Sequence, residues 1–401
     1  MAKRKIQKPT RFERMYKVWD YLRKNTDRRH PTSIAKMRKD ENINAYIGDK
    51  ETINRLLKDM ANIMNLEDGG SDYKPEAEWR LYFDDFKKFY GDKERYERDD
   101  SDEDDSYIAN VMRIKNLYYN RTFSEKEVDS IIEGIMATRT LDSKSAQELV
   151  RKVEDNMTTA FYKRTPRHIC KVQEPELADR ELLKDNLAII QKAIDDNVRI
   201  QFRFNGYSYE KKLEPVRAEM DELSPYYIVA SGGKYYLLAA KEYEGYKPNM
   251  SIWRIDLMTS IEIPGRNDRL HIKGIPRIPK KNVSNLPEKW SEDFQLKHLN
   301  MSFDKPVPVT LRIKSEKCED NPKKRVRPGY TFLHDWFGDS FTYIRTEKEP
   351  PYDDIVRVEC SPYGMAHWAL QYSELVEVLE PESLREDIKN KIKALNEKYS
   401  L

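Results

Sequence analysis

Cysteine is scarce in this chain. Its 401 residues include three, Cys170, Cys318 and Cys360, far apart and odd in number. That argues against a disulfide framework and for a reducing cytoplasm. Long apolar runs are missing too: no stretch of about 18 apolar residues occurs, so no membrane span is expected. The N-terminus, Met1-Ala2-Lys3-Arg4-Lys5-Ile6-Gln7-Lys8, is basic with no apolar segment behind it, unlike a secretory signal. Six histidines (His30, His168, His271, His298, His334 and His367) show no metal-ligand spacing with each other or with cysteine. The glycine-rich phosphate loops and the strand-to-helix serine elbow of hydrolases are absent. The acidic run from Asp99 to Asp105 lacks the glycine and terminal glutamate of a calcium loop. His334-Asp335-Trp336 and His367-Trp368 are adjacent pairs of the kind chance supplies. Nothing asks for a nucleophile, so no enzyme, cofactor or metal is expected.

What is present is charge. Charged residues make up 35% of the chain and apolar ones 38%, as in a globular protein with well-solvated surfaces. The length exceeds one ordinary core, so two or three domains are expected. The net charge of +2 hides an asymmetry: residues 1–65 carry 17 Lys and Arg against 8 Asp and Glu, and residues 84–105 carry 11 acidic against 5 basic. A basic N-terminal module suits a binder of phosphate backbone.

Apolar spacings of three and four predict a helix from Arg11 to Asn25, through Phe12, Met15, Tyr16, Val18, Trp19 and Leu22. Thr32 or Ser33 caps a short second helix holding Ile34, Ala35 and Met37 inward. A polar stretch, Lys39 to Gly48, follows. Asp49 then caps a third helix with Ile53, Leu56, Leu57, Met60, Ile63 and Met64 on one face, ending before Asp68-Gly69-Gly70. This pattern turns Glu51, Asn54, Arg55 and Lys58 outward. Asn and Arg are the side chains that make bidentate contacts with adenine and guanine edges, and Lys suits phosphates; the bland alternative is a solvated helix face. Strands at Trp79–Phe83 and Met112–Tyr119 would form a wing around the solvated acidic insertion 97–105. Ser124 to Thr138 and Ser143 to Met157 are amphipathic helices with serine N-caps, the first with a capping box to Glu127. Another helix runs from about Arg180 to Asn197.

The period then changes to two. Arg199–Phe204, ending at an Asn205-Gly206 turn signal, is followed by Lys212–Val216, Tyr226–Ala230, Tyr235–Ala240, Ile252–Asp256 and Ser260–Ile263. Six short strands separated by turn residues predict a small antiparallel barrel or curled sheet.

This ordered series resembles the WYL domain found behind winged helix-turn-helix modules in bacterial transcriptional regulators. The matching residues are Ile200-Gln201-Phe202-Arg203-Phe204-Asn205, Leu213-Glu214-Pro215, Leu223-Ser224-Pro225-Tyr226-Tyr227, Tyr235-Tyr236-Leu237-Leu238-Ala239 and Trp253-Arg254-Ile255-Asp256. Tyrosine replaces the tryptophan of the name-giving triplet. Thr52-Ile53-Asn54-Arg55 looks like the start of that family's recognition helix. Val309–Lys314, Trp368, Leu370, Val376 to Pro381 and Leu384-Arg385 look like its C-terminal extension. Leu257 stands where the family often has a second arginine, and Ser373 where it commonly has glycine.

The resemblance implies an α+β multidomain chain. A winged helix-turn-helix DNA-binding domain with an acidic insertion covers 1–120, and a helical linker that contributes to dimerisation covers 121–178. An SH3/Sm-like small β-barrel WYL domain that senses a ligand covers 179–273, and an α/β C-terminal extension that dimerises covers 300–401. It implies a DNA-binding role for Lys50, Thr52, Asn54, Arg55 and Lys58. For a nucleotide or single-stranded nucleic-acid effector it implies Lys212, Ser224, Tyr226, Tyr236 and Arg254. Neighbours on a strand face opposite ways, so Tyr236 is assigned to the ligand and Tyr235 to packing. Arg254, in an apolar strand, needs an anionic partner: the ligand, Asp256 or another carboxylate. The expected protein is a cytoplasmic, homodimeric, ligand-responsive transcriptional regulator on a double-stranded operator. The rival readings are an accessory protein holding single-stranded RNA or DNA directly, for example in phage defence, and a dimerisation scaffold with a vestigial pocket.

Overall fold

In a computed structural model of the chain, the residues described are 8–67, 72–84, 114–138, 141–164, 180–315, 317–318, 321–325 and 329–399. The chain divides into two compact units, Met1–Pro175 and Glu176–Leu401. The fold is mixed helix and sheet. Among the described residues no helix is long and apolar enough to cross a membrane.

The first unit opens with α1 (Arg11–Asn25), whose capping box joins Thr10 and Glu13. Ser33 caps α2 (Ile34–Met37) by accepting from the Lys36 N–H. The expected polar stretch that follows contains another helical turn, α3 (Asn44–Ile47). Ile43 and Ile47 are buried, and four residues between turns are too few to show a period. Asp49 caps α4 (Lys50–Asn65), the fourth helix rather than the third. Strand β1 (Leu81–Tyr82) pairs antiparallel with β2 (Tyr118–Tyr119), and Thr32 bridges Leu117. Both strands are shorter than the apolar runs suggested. The insertion 97–105 lies outside the described residues. One core joins Val18, Leu22, Met37, Leu57, Trp79 and Leu117. Burying a side chain of this size stabilises by about 1.5–3 kcal/mol. Next come α5 (Glu125–Ala137), with the expected Ser124–Glu127 capping box, and α6 (Ser143–Met157). The cap of α6 is Asp142, one residue ahead of the expected serine, accepting from the Ser145 N–H.

In the second unit α7 (Arg180–Asp196) precedes a curled antiparallel sheet of β3 (Ile200–Tyr207), β4 (Leu213–Pro215), β5 (Asp221–Ser231), β6 (Lys234–Ala240), β7 (Met250–Arg254) and β8 (Met258–Glu262). The order is β4-β3-β5-β6-β7, and β8 returns to pair with β3. A 3-10 turn, Ile255–Leu257, makes that return possible. Asn205-Gly206 is not a turn: β3 runs through it, and Gly206 pairs with Glu214.

After α8 (Phe294–Lys297) the C-terminal module comprises β9 (Val307–Ile313), a hairpin of β10 (Lys317–Cys318) and β11 (Asn321–Arg325), α9 (Thr331–Phe337), β12 (Thr342–Thr346), β13 (Asp354–Cys360), α10 (Pro362–Gln371), β14 (Val376–Glu380) and α11 (Glu382–Tyr399). Its four-stranded antiparallel sheet has the order β12-β13-β9-β14. With the hairpin set aside, the element order β-α-β-β-α-β and this strand order define a split βαβ arrangement. Trp368, buried on α10, packs edge-on against Phe337 of α9 at 5.2 Å between ring centres.

Candidate functional site

In the first unit the candidate is α4. Lys50, Thr52 and Arg55 are exposed. The Thr52 N–H donates to the Asp49 carboxylate at 2.7 Å, and Arg55 pairs with Glu51 at 2.8 Å across one helical turn. Asn54 and Lys58 do not face outward: they are 0% and 5% exposed. The reason lies in the width of the buried arc. Residues 54, 58, 61 and 65 form a second stripe beside 53, 57 and 60, and both are covered, whereas Ile63 is 69% exposed. A wide apolar face makes the edge of a helix ambiguous in sequence. Asn65, which sequence reasoning passed over, is fully buried. Its side-chain oxygen accepts from the N–H groups of Arg80 (2.8 Å) and Leu81 (3.1 Å), and its Nδ2 donates to the Leu81 carbonyl (2.8 Å). It fastens α4 to β1.

In the second unit Arg254 and Tyr236 come together. They are directly opposed on β7 and β6, so their side chains share a face. Arg254 grips Asp256 through Nε at 3.1 Å and Nη2 at 2.6 Å. Burial disfavours its charge, but the Asp256 contacts outweigh this and hold its pKa above the ordinary value; Tyr207 and Tyr236 also act on it electrostatically. Burial raises the Tyr236 hydroxyl pKa, against the pull of Arg254. Two buried asparagines hold the turn that presents this pair. Asn186 of α7 donates to the carbonyls of Ile255 (3.3 Å) and Met258 (2.8 Å). Asn205 donates to the Leu257 carbonyl at 3.0 Å. Tyr236 packs beside Val229, Leu238 and Met250, while Tyr235 packs with Leu237 in the core beneath the curled sheet.

The other expected ligand residues stand elsewhere. Lys212 is exposed on the β3–β4 hairpin and pairs with Glu210 at 2.6 Å. Ser224 and Tyr226 are buried, and both hydroxyls are engaged. The Ser224 hydroxyl accepts from the Ile278 N–H at 3.0 Å, and the Tyr226 hydroxyl donates to the Ile278 carbonyl at 2.6 Å. They are clamps rather than open donors to a ligand. Ser224 is opposite Ala240 and Tyr236 opposite Val229, five residues along β5, or roughly 17 Å at the usual rise.

What the clamps hold is a strap, residues 272–283, laid against the start of the curled sheet. Val198 bridges Pro276, and the Arg277 N–H donates to the Asn197 carbonyl at 2.9 Å. The entry requires glycine: Gly274 has φ +137°, and a Cβ there would lie 2.6 Å from Ile263. Arg277 lies over the Tyr226 ring at 5.0 Å and Lys280 over the Tyr227 ring at 4.1 Å. The strap carried no signal beyond its prolines and basic residues, and sequence reasoning missed it.

Residues 305–395 match the WCX domain family. No curated protein matches the chain. Among solved structures the chain is similar to the proteasome accessory factor B/C (PafBC) of Arthrobacter aurescens, at 16% identity and a TM-score of 0.21, over 72% of this chain and 40% of that one. It is also similar to a CRISPR Cas-related protein, at 14% identity and a TM-score of 0.29, over 70% of this chain and 74% of that one. The chain therefore spans well under two thirds of the first of these. Likenesses of this size decide neither fold nor function.

Proposed function

We propose that the chain is a nucleic-acid-responsive transcriptional regulator. Its first unit acts as a winged helix-turn-helix on duplex DNA, and its curled sheet acts as a WYL-type sensor of a nucleotide or single-stranded nucleic acid. The single observation that carries this is the capped N-terminal end of α4, where Lys50, Thr52 and Arg55 are exposed on a helix fastened from behind to β1. The WCX match supports the regulator reading for the C-terminal module. A DNA-reading role needs a helix that presents base-reaching side chains while its other face is immobilised, and a cytoplasmic setting follows from that role.

We also propose that the protein is a homodimer joined through α11. Ile392, Leu395 and Tyr399 are exposed there, following the half-buried Ile388 at spacings of four, three and four. Residues 382–388 carry three acidic side chains and one basic, and residues 389–399 carry four basic and one acidic. Antiparallel pairing with a second copy sets the basic half of each helix against the acidic half of the other, as a two-fold interface requires.

Selection of duplexes from a random pool, followed by binding of the selected duplex, tests the DNA role. Arg55→Ala is expected to weaken that complex by about 1–3 kcal/mol and to relax preference at one base position, with melting temperature unchanged. A protein that enriches no duplex and binds single strands alone would overturn the regulator reading.

A further inference from the structure

The charge at the expected ligand site is already neutralised, because Asp256 holds Arg254 side-on through Nε and Nη2. A cluster of positive charges without a carboxylate partner among the described residues lies at the opposite end of β6 and β7. Arg277 donates to the Pro225 carbonyl (2.7 Å) and the Asn197 side-chain oxygen (2.6 Å), and covers the Tyr226 ring. Lys280 donates to the Tyr227 hydroxyl at 2.8 Å, and Lys281 is exposed. None of the three has a carboxylate within 4.0 Å among the described residues, whereas Arg199, Lys241, Arg254 and Arg266 each do; Arg203 of β3 also lacks one, but it stands apart from this cluster's strap. From residue 271 to 283 the strap contains no acidic residue.

Aromatic faces lie beside this charge. The Ser284 N–H donates to the Pro248 carbonyl and the Met250 N–H to the Ser284 carbonyl, both at 2.9 Å. These bonds stitch the β6–β7 loop to the end of the strap. That loop exposes Tyr243 and Tyr246, 58% and 78% accessible, and the half-exposed Trp290 lies against Tyr227 at 5.7 Å. Half-buried cations without counter-ions fit an anionic partner that brings its own charge. Exposed rings next to such cations fit unpaired bases, which alone offer a face to stack. Duplex DNA keeps its bases stacked inside, so this surface suits a single strand.

We propose that the strap and the β6–β7 loop form a track for single-stranded nucleic acid, with Arg277, Lys280 and Lys281 on phosphates and Tyr246 under a base. The proposal rests on the nucleic-acid-responsive reading above and deepens it: the effector is a strand several nucleotides long rather than a mononucleotide at Arg254.

The test measures binding of the full chain to (dT)4, (dT)12, (rU)12 and an abasic 12-mer by fluorescence anisotropy across a salt series. (dT)12 should bind more tightly than (dT)4, and the DNA and RNA 12-mers show which backbone is preferred. Lys280→Gln with Lys281→Gln should lower the salt slope for (dT)12 by about 1.4, at ~0.7 per lost phosphate contact. Lys281→Gln alone, at an exposed position, should lower it by about half that, even if the double variant folds poorly. Tyr246→Ala should weaken (dT)12 about 5- to 150-fold and leave the abasic strand unaffected. Equal affinity for (dT)4 and (dT)12, or an unchanged slope in the Lys281→Gln protein, would overturn the track. If no single strand binds while the selected duplex still does, the sensor is lost and the DNA-binding reading survives. If neither binds, both fall.

Discussion

An arginine between Trp253 and Ile255 needs an anion, and the anion is two residues away. Asp256 is 4% exposed, and Arg254 is its one ion-pair partner among the described residues. Replacing Arg254 with alanine therefore strands a buried carboxylate, which costs up to about 3–5 kcal/mol for a fully buried pair and less here because Arg254 is partly exposed. Thermal melts of Arg254→Ala, Asp256→Asn and the double variant form a cycle that isolates the pair. The expected outcome is a clear loss in Arg254→Ala, largely recovered when Asp256→Asn is added. An Arg254→Ala protein with an unchanged melting temperature and lost effector binding would instead make the arginine a ligand contact. The Ser224 and Tyr226 hydroxyls look available in sequence because the residue that occupies them, Ile278, is more than 50 positions away.

At the scale of elements the sequence was legible where periodicity is long and caps are strong. Helices α1, α4, α5, α6 and α7 lie within a residue or two of their expected spans, as do most strands of the curled sheet. It was illegible where one or two turns are bounded by no pattern, as in α3, or where contacts decide, as with Asn54, Lys58 and the strap. The loop around α8 is another such case. His298, buried, stacks on Phe294 with ring centres 4.1 Å apart. Its Nδ1 lies 2.7 Å from the Ser302 carbonyl, so Nδ1 carries the proton and donates. Burial pushes its pKa below the ordinary value, against the Ser302 bond. A depressed folded-state pKa means the neutral ring favours the fold: that stability is complete above the unfolded-state pKa of about 6.5 and is lost as pH falls through the lower folded-state value. Melting temperature should therefore drop from pH 7 to pH 5, and drop less in His298→Gln, which has no proton to gain. Parallel pH profiles for the two proteins would remove His298 as the cause.

For the whole molecule, a regulator that reads duplex DNA gains from having two heads, since a dimer places two recognition helices on half-sites one helical turn or a multiple apart. The sequence carried this only as a consequence of resemblance, since the exposed apolar stripe on α11 is left uncovered by the described residues. On α11 the stripe and the opposed charges of the two halves are the grounds for proposing a second copy as the partner rather than an unrelated surface. Substituting both Ile392→Glu and Leu395→Glu puts carboxylates where two apolar side chains would meet, without touching the buried Leu384 that anchors the helix to its own module. Light scattering coupled to size exclusion should report a dimer for the unaltered chain and a monomer for the double variant. Binding to a two-half-site duplex should fall steeply in the variant, while binding to an isolated half-site stays as it was, because the contacts of each head are intact. A double variant that remains dimeric would move the interface elsewhere, with α5 and α6 of the first unit as the next helices to test. An unaltered chain that is monomeric at all concentrations would remove the two-fold operator from the account.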